Sequence, residues 1–123
     1  MNIILDTHVF LWALSDPEKI PSEKRREIET RANSIFVSSI SFAELMIKAS
    51  IGKIKVDFDP IDAVELSGFE FLDFSAQDAM LLKDLPFHHR DPFDRMLIAQ
   101  SIANNYRVMT LNEKFSRYEC KLI

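Results

Sequence analysis

Glycine is nearly absent. Only Gly52 and Gly68 occur in 123 residues, where average usage is roughly 7%. Loops that cradle phosphates, such as G-x-x-x-x-G-K or G-x-G-x-x-G, need clustered glycines so that backbone can approach the ligand. None can be built here, which excludes nucleotide binding by those routes. Cysteine is reduced to Cys120, and one thiol excludes an internal disulfide and any multi-cysteine zinc site. Among apolar residues near the C-terminus it reads as a buried structural thiol. Long apolar runs are missing too. Val9–Leu14 is six residues and follows Asp6, far short of the ~20 a membrane span needs and unlike a secretory leader. A cytoplasmic location is the expectation.

What is present fits one domain over residues 1–123, with 47% hydrophobic and 28% charged residues. The net charge of −4 argues at first against a nucleic-acid partner. Its distribution changes that. Residues 57–84 hold eight acids and one base, Lys83, while residues 1–56 carry +1 and residues 85–123 carry +2. The two ends are mildly basic around an acidic middle, so a polyanion is neither forbidden nor required.

Short apolar runs alternate with longer helical patterns. Ile3–Leu5, Ile35–Val37, Phe69–Leu72 and Val108–Met109 are strand candidates, with Cys120–Ile123 a weaker fifth. Helix-start signals lie between them. Ser41 and Glu44 have the spacing of a capping box. Asp59-Pro60 and Asp91-Pro92 each place an Asp at the N-cap and Pro at the first helical position. Ser75 opens another helix, and Gly52 and Gly68 are plausible stops. The pattern predicts helices over 7–15, 22–33, 41–51, 60–67, 76–85 and 92–105. Strands alternating with helices imply an α/β protein with a parallel sheet and helices on both faces. Right-handed crossovers then bring every strand C-terminus and helix N-terminus to one edge, where ligands bind.

That geometry gathers scattered acids. Asp6 follows the first strand, Glu44 lies in the first turn after the second, Asp91 and Asp94 open a later helix, and Asn112 lies just past Thr110. Carboxylates sharing a site repel unless a cation neutralises them. All-oxygen ligands without His or Cys select hard cations, Mg²⁺ or Mn²⁺, over zinc, and the natural work of such a cation is phosphoryl chemistry. The residues alone therefore suggest a metal-dependent phosphodiesterase or phosphatase. Each acid also has a plain structural reading: Glu44 as part of a capping box, Asp91 as an N-cap, and Asp94 as a favourable charge in a first helical turn. Asp6, with no cap spacing of its own, is hardest to dismiss. Asp6-Thr7-His8 lacks the second Asp of a D-x-D phosphatase. His88-His89-Arg90 reads as a solvated or substrate-facing patch more than a metal site. Lys24-Arg25-Arg26, interleaved with glutamates, suits a solvated helix face.

Ile3-Ile4-Leu5-Asp6-Thr7-His8 followed by Phe10-Leu11-Trp12, Ser38–Leu45 with Glu44, and His89–Arg95 running into Leu97-Ile98-Ala99-Gln100 together resemble a PIN-domain nuclease. More narrowly, the pattern is similar to the VapC-type toxins of toxin–antitoxin pairs. It spans Asn2 to about Phe115. The resemblance implies a three-layer α/β/α sandwich with five parallel strands in order 3-2-1-4-5. It also implies Mg²⁺-dependent ribonuclease activity, with Mn²⁺ able to substitute. Asp6, Glu44 and Asp94 take the places of the catalytic, metal-holding acids. Thr7, Asp91, Thr110 and Asn112 are supporting residues, with Asn112 standing where some members carry a fourth acid. His89, Arg90 and Arg95 would contact RNA phosphates. The implied partners are RNA, a small antitoxin protein and a second copy in a homodimer.

Two rivals remain. A phospho-receiver domain would use Asp73 as acceptor and Thr110 as its switch hydroxyl, although the paired acids and the terminal lysine of that class are missing. A PIN-like RNA-binding module without catalysis is the other. Val9–Leu14 is apolar around most of the first helix, more than the stripe of about 100° needed for burial. The segment over 22–33 offers only Ile28 and Ala32 as cover. This surface is expected to receive an antitoxin segment whose arginine reaches Asp6, Glu44 and Asp94, and Trp12 is expected to be partly accessible.

Overall fold

Ile3-Ile4-Leu5 leaves no polar side for solvent, and a strand with both faces apolar belongs in the middle of a covered sheet. In the computed structural model, which describes residues 1–123, this segment is the central strand β1 (Asn2–Leu5). It pairs in parallel with β2 (Ser34–Ser38) on one side and β4 (Arg107–Met109) on the other. β3 (Glu70–Leu72) and β5 (Lys121–Leu122) form the edges, giving the order β3-β2-β1-β4-β5. All four pairings are parallel, as expected. A receiver sheet has order 2-1-3-4-5, so the order seen here removes that rival. Asp73, its would-be acceptor, is exposed beyond an edge strand.

The two-residue side-chain period of the strands divides the core into two layers. Ile3, Leu5, Ile35, Val37 and Met109 face one way and pack with Val9, Phe10, Ile20, Leu45 and Val64. Ile4 and Val108 face the other way and pack with Leu97, Ile98, Leu85, Phe115, Tyr118 and Cys120. The first layer is covered by α1 (Thr7–Ser15), α2 (Ser22–Glu29), part of α3 (Ser39–Ser50) and α4 (Pro60–Leu66). The second is covered chiefly by α6 (Pro92–Asn104), with α5 (Ala76–Met80) beside it. The result is the expected α/β/α sandwich. Cys120 is buried as expected, its thiol donating to the Phe115 carbonyl at 3.5 Å.

Helix ends differ from expectation where side chains intervene. α2 stops at Glu29 rather than 33, because Asn33 folds back to donate to the Glu27 carbonyl at 2.9 Å and its carboxylate at 2.7 Å. α5 stops at Met80 and continues as a 3₁₀ turn over Leu81–Lys83. Asp59, Ser75 and Asp91 cap their helices as the sequence suggests. Gly68 ends α4 in the left-handed region (φ 73°), with Phe69 N–H reaching back to the Val64 carbonyl at 3.0 Å. The basic run on α2 is less solvated than expected: Lys24 and Arg25 are half-buried, and Lys24 donates to the Ile123 carbonyl. No helix is long and apolar enough to cross a membrane.

The winding reverses beside β1. From β1 the chain adds β2 and β3 on one side, then crosses to add β4 and β5 on the other. Such a reversal leaves a crevice at the carboxyl ends of the two flanking strands. Asp6 directly follows β1 and Thr110 directly follows β4.

Candidate active site

The acids reach this crevice by different local devices. The Asp6 N–H donates to the Met109 carbonyl at 3.0 Å, extending the sheet by one rung. Its side chain caps α1, Oδ1 accepting from Val9 N–H at 2.8 Å, while Oδ2 accepts from the Thr110 hydroxyl at 2.5 Å. The expectation that Asp6 has no capping role is therefore corrected. Asp6 is both a helix cap and a buried acid. Thr110 in turn accepts from the Asn112 N–H at 3.0 Å, so the strand end is locked onto the carboxylate.

The capping box of Ser41 and Glu44 does not form. α3 starts two residues earlier than expected, with Ser38 as N-cap accepting from Ile40 N–H at 3.1 Å. Ser41 is inside the helix, and its Oγ accepts from the Thr7 hydroxyl at 2.9 Å. Thr7 thus braces α1 against α3 rather than orienting a carboxylate. Released from capping, Glu44 is turned inward at 2% exposure. Its Oε2 pairs with Lys48 Nζ at 2.6 Å, and its Oε1 is buried with no hydrogen-bond partner. A buried acceptor left without a donor costs about 1–3 kcal/mol.

Asp91 caps α6, its Oδ1 accepting from Phe93 N–H at 2.9 Å and Asp94 N–H at 3.3 Å. Asp94 is in the first turn and its Oδ2 meets His89 Nε2 at 2.7 Å. Asn112 Nδ2 reaches the same oxygen at 3.4 Å, while its Oδ1 caps the following turn through Lys114 N–H at 3.0 Å. One ligand atom from each of His89, Asp91 and Asp94 lies within 4.8 Å of the others.

His89 and Arg95 were expected at RNA phosphates, and both are instead buried. The Arg95 guanidinium is committed to the carbonyls of Pro86 (2.8 Å), Leu85 (3.1 Å) and His89 (3.4 Å) and to the Tyr118 hydroxyl (3.3 Å). Arg90 is exposed and free to meet a phosphate. Lys48 escaped the sequence reading, and Tyr118, a core or interface aromatic by sequence, is buried in the core with its hydroxyl serving the loop before α6. Lys48 carried a signal, four residues after Glu44 on one helix face; the role of the Tyr118 hydroxyl carried none.

The electrostatics tie the acids together. Burial pushes the Asp6 pKa above its ordinary 3.8, and the Glu44 charge adds to the rise, against hydrogen bonds from Thr110 and Val9 and the His8 charge. Burial likewise raises Asp94, with Asp91 and Glu44 adding to it and the His89 contact opposing. Glu44 therefore acts on both Asp6 and Asp94. Its hydrogen bond raises the Lys48 pKa, with Asp91 and Asp94 contributing at longer range. Asp6, His8, Trp12, Leu111 and Asn112 line a depression of about 310 Å³ at the crevice. Trp12 is half-buried, as expected, packed on the first core layer with Leu11, Ala13 and Leu14.

The donor set fits a divalent cation. It is oxygen-rich, it repels itself in the absence of positive charge, and it holds a buried carboxylate oxygen that no protein group satisfies. His89 adds a nitrogen that Mn²⁺ tolerates better than Mg²⁺ does.

A three-layer α/β/α protein that collects carboxylates at the reversal point of a parallel sheet is built for work on a ligand held outside its strand ends. The chain belongs to the PIN domain family, whose sequence profile matches residues 3–120. No curated protein matches the sequence. Among solved structures, it is similar to a chain in VapBC2 from Rickettsia felis bound to a promoter DNA fragment. That pair shares 27% identity with a TM-score of 0.75 and covers 100% of this chain and 98% of the other. DNA-bound VapBC from Salmonella typhimurium shares 18% identity and a TM-score of 0.70, with 100% and 97% covered. VapBC-5 from Mycobacterium tuberculosis shares 19% and 0.59, with 99% and 95% covered. The last two speak to fold alone. The likeness to VapC-type PIN nucleases read from the sequence stands.

Proposed function

We propose that this chain is a Mg²⁺- or Mn²⁺-dependent endoribonuclease, the toxin of a toxin–antitoxin pair. The observation that carries the reading is the unsatisfied, buried Glu44 Oε1 in a crevice where burial and mutual repulsion raise the pKa of Asp6 and Asp94. In this reading Asp6, Glu44 and Asp94 hold the cation, with Asp91 and Asn112 in support. A bound Mg²⁺ supplies polarisation of a phosphoryl oxygen and a more acidic water. The protein's share is positioning. Thr110 fixes Asp6, His89 fixes Asp94, and Lys48 balances the charge of Glu44. The α6 N-terminus adds a partial positive charge near an approaching phosphate, and Arg90 meets its neighbours along the strand.

Purified protein incubated with single-stranded RNA should cleave it with Mn²⁺ or Mg²⁺, and lose activity with EDTA or in Asp6→Asn. Metal-independent cleavage refutes the metal assignment. Binding without cleavage across varied RNAs favours the non-catalytic PIN module. That the similar structures are VapBC complexes, a family of toxin–antitoxin systems, supports an antitoxin partner. The half-buried stripe of Leu11 and Trp12 beside Asp6 suits its docking, with an antitoxin arginine competing for the carboxylates. A homodimer and a cytoplasmic location complete the proposal.

A further inference from the structure

Phe87 stands almost wholly in solvent, at 82% exposure, on the loop that leads into the catalytic helix. Exposed apolar side chains on mobile loops need no explanation, but this loop is held. Arg95 donates to the carbonyls of Leu85, Pro86 and His89. The Tyr118 hydroxyl donates to Pro86 at 2.8 Å and accepts from His89 N–H at 2.9 Å. Five hydrogen bonds thus fix the backbone on both sides of Phe87 and leave its ring outside. The ring itself is oriented, because the Arg95 guanidinium carbon lies 4.0 Å from its centroid. One π-face rests on a buried cation and the other is free.

The position bears on the site. Arg95 adjoins Asp94 in sequence, and His89, which shares Arg95 as a partner, holds Asp94 Oδ2 at 2.7 Å. Phe87 is therefore linked to a proposed cation ligand through two side chains that do not move independently. The chain around it offers contacts to a polyanion: between Asp84 and Asp91 it contains no acid, and His88 and Arg90 are exposed within three residues of Phe87. A fixed aromatic face with an exposed arginine, Arg90, three residues away suits the stacking and charge contacts by which single-stranded nucleic acids are held without sequence readout.

We propose that Phe87 is a nucleobase-stacking platform that positions single-stranded RNA next to the Asp6–Glu44–Asp94 crevice. The proposal rests on the ribonuclease reading and adds a base-binding subsite to it. It further separates two roles on one loop: Phe87 and Arg90 touch RNA, whereas Arg95 and Tyr118 hold them in place.

The test is a double-mutant cycle between protein and RNA. Affinity is measured for short single-stranded oligoribonucleotides of mixed sequence with Ca²⁺ in place of Mg²⁺, and cleavage is measured separately with Mn²⁺. Phe87→Ala should weaken binding roughly five- to a hundredfold, the range for removing one base–aromatic stack. It should raise KM with kcat little changed, and Phe87→Trp should restore affinity. Scanning an abasic position along a cleavable RNA should reveal one site where wild type loses affinity and Phe87→Ala loses no more. A fall of no more than a few degrees in Tm for Phe87→Ala, the loss of its Arg95 contact, excludes a folding defect. If wild type cleaves RNA through Asp6 but Phe87→Ala binds and cleaves equally, the platform is wrong and the nuclease reading stands. If Phe87→Ala instead weakens only binding of a protein partner, the ring belongs to a protein interface and the proposal is overturned. Absence of metal-dependent cleavage by wild type overturns the underlying function.

Discussion

Replacing Arg95 with methionine separates a buried scaffold residue from an RNA ligand. Methionine keeps much of the apolar stem and removes only the guanidinium. Leu85 and His89 then lose their side-chain donor, while Pro86 retains the Tyr118 hydroxyl. The His89 contact is long at 3.4 Å, so the loss is dominated by Leu85 and Pro86 at 3.1 and 2.8 Å. A hydrogen bond to a charged donor contributes about 1.5–3 kcal/mol, and the contact with Phe87 adds ~0.5–1 kcal/mol. Removing the desolvation cost of a buried charge offsets part of this. The net expectation is a destabilisation of about 3 kcal/mol, read as a fall of roughly 10–15 °C in Tm for a domain of this size. Urea unfolding should give the same loss through a shifted midpoint at constant slope. A variant with unaltered Tm but weakened RNA binding would refute the reasoning and return Arg95 to the substrate surface.

Three further outcomes follow from the carboxylates and the α3 cap. Because Asp6 and Asp94 have raised pKa values, the metal-free fold loses stability as pH climbs from about 3.8 through those values. Mg²⁺ at a hundred times its Kd should add about 2.7 kcal/mol at neutral pH, and nothing once both acids are protonated; calorimetric scans at several pH values check this. Glu44→Gln removes the charge that acts on both neighbours, so the Asp6, Asp94 and Lys48 pKa values should all fall, measurable by NMR titration. Ser38→Ala should cost about 1 kcal/mol and speed hydrogen exchange at Ile40; no effect would restore the later α3 start.

The layers of the fold are readable in the sequence because each core strand is a short unbroken apolar run. The Asp-Pro helix starts were readable because they depend on adjacent residues. Errors arose where several local solutions compete. Ser38, Ser39 and Ser41 can all cap a helix, and packing of Ile40 and Leu45 selects the first. The cap at Asp6 was hidden because Asp-Thr-His-Val carries no capping partner. Arg95 was misread as a surface charge, although it lies three and four residues before the buried Ile98 and Ala99 on one helical stripe. The His89–Asp94 contact had no sequence signal, since a loop shape fixed by Arg95 and Tyr118 creates it.

Asp6 and Asp91 spend one oxygen on a helix and present the other to the crevice, and Asn112 does the same with its amide. Asparagine caps helices as well as aspartate does. A single base transition turns an aspartate codon into an asparagine codon. At Asp6 that change keeps the cap, keeps the shape and removes the charge. For a toxin of the proposed kind, disarming would therefore require neither truncation nor misfolding. An Asp6→Asn copy would remain an intact, folded molecule, still presenting the surface to the proposed partner.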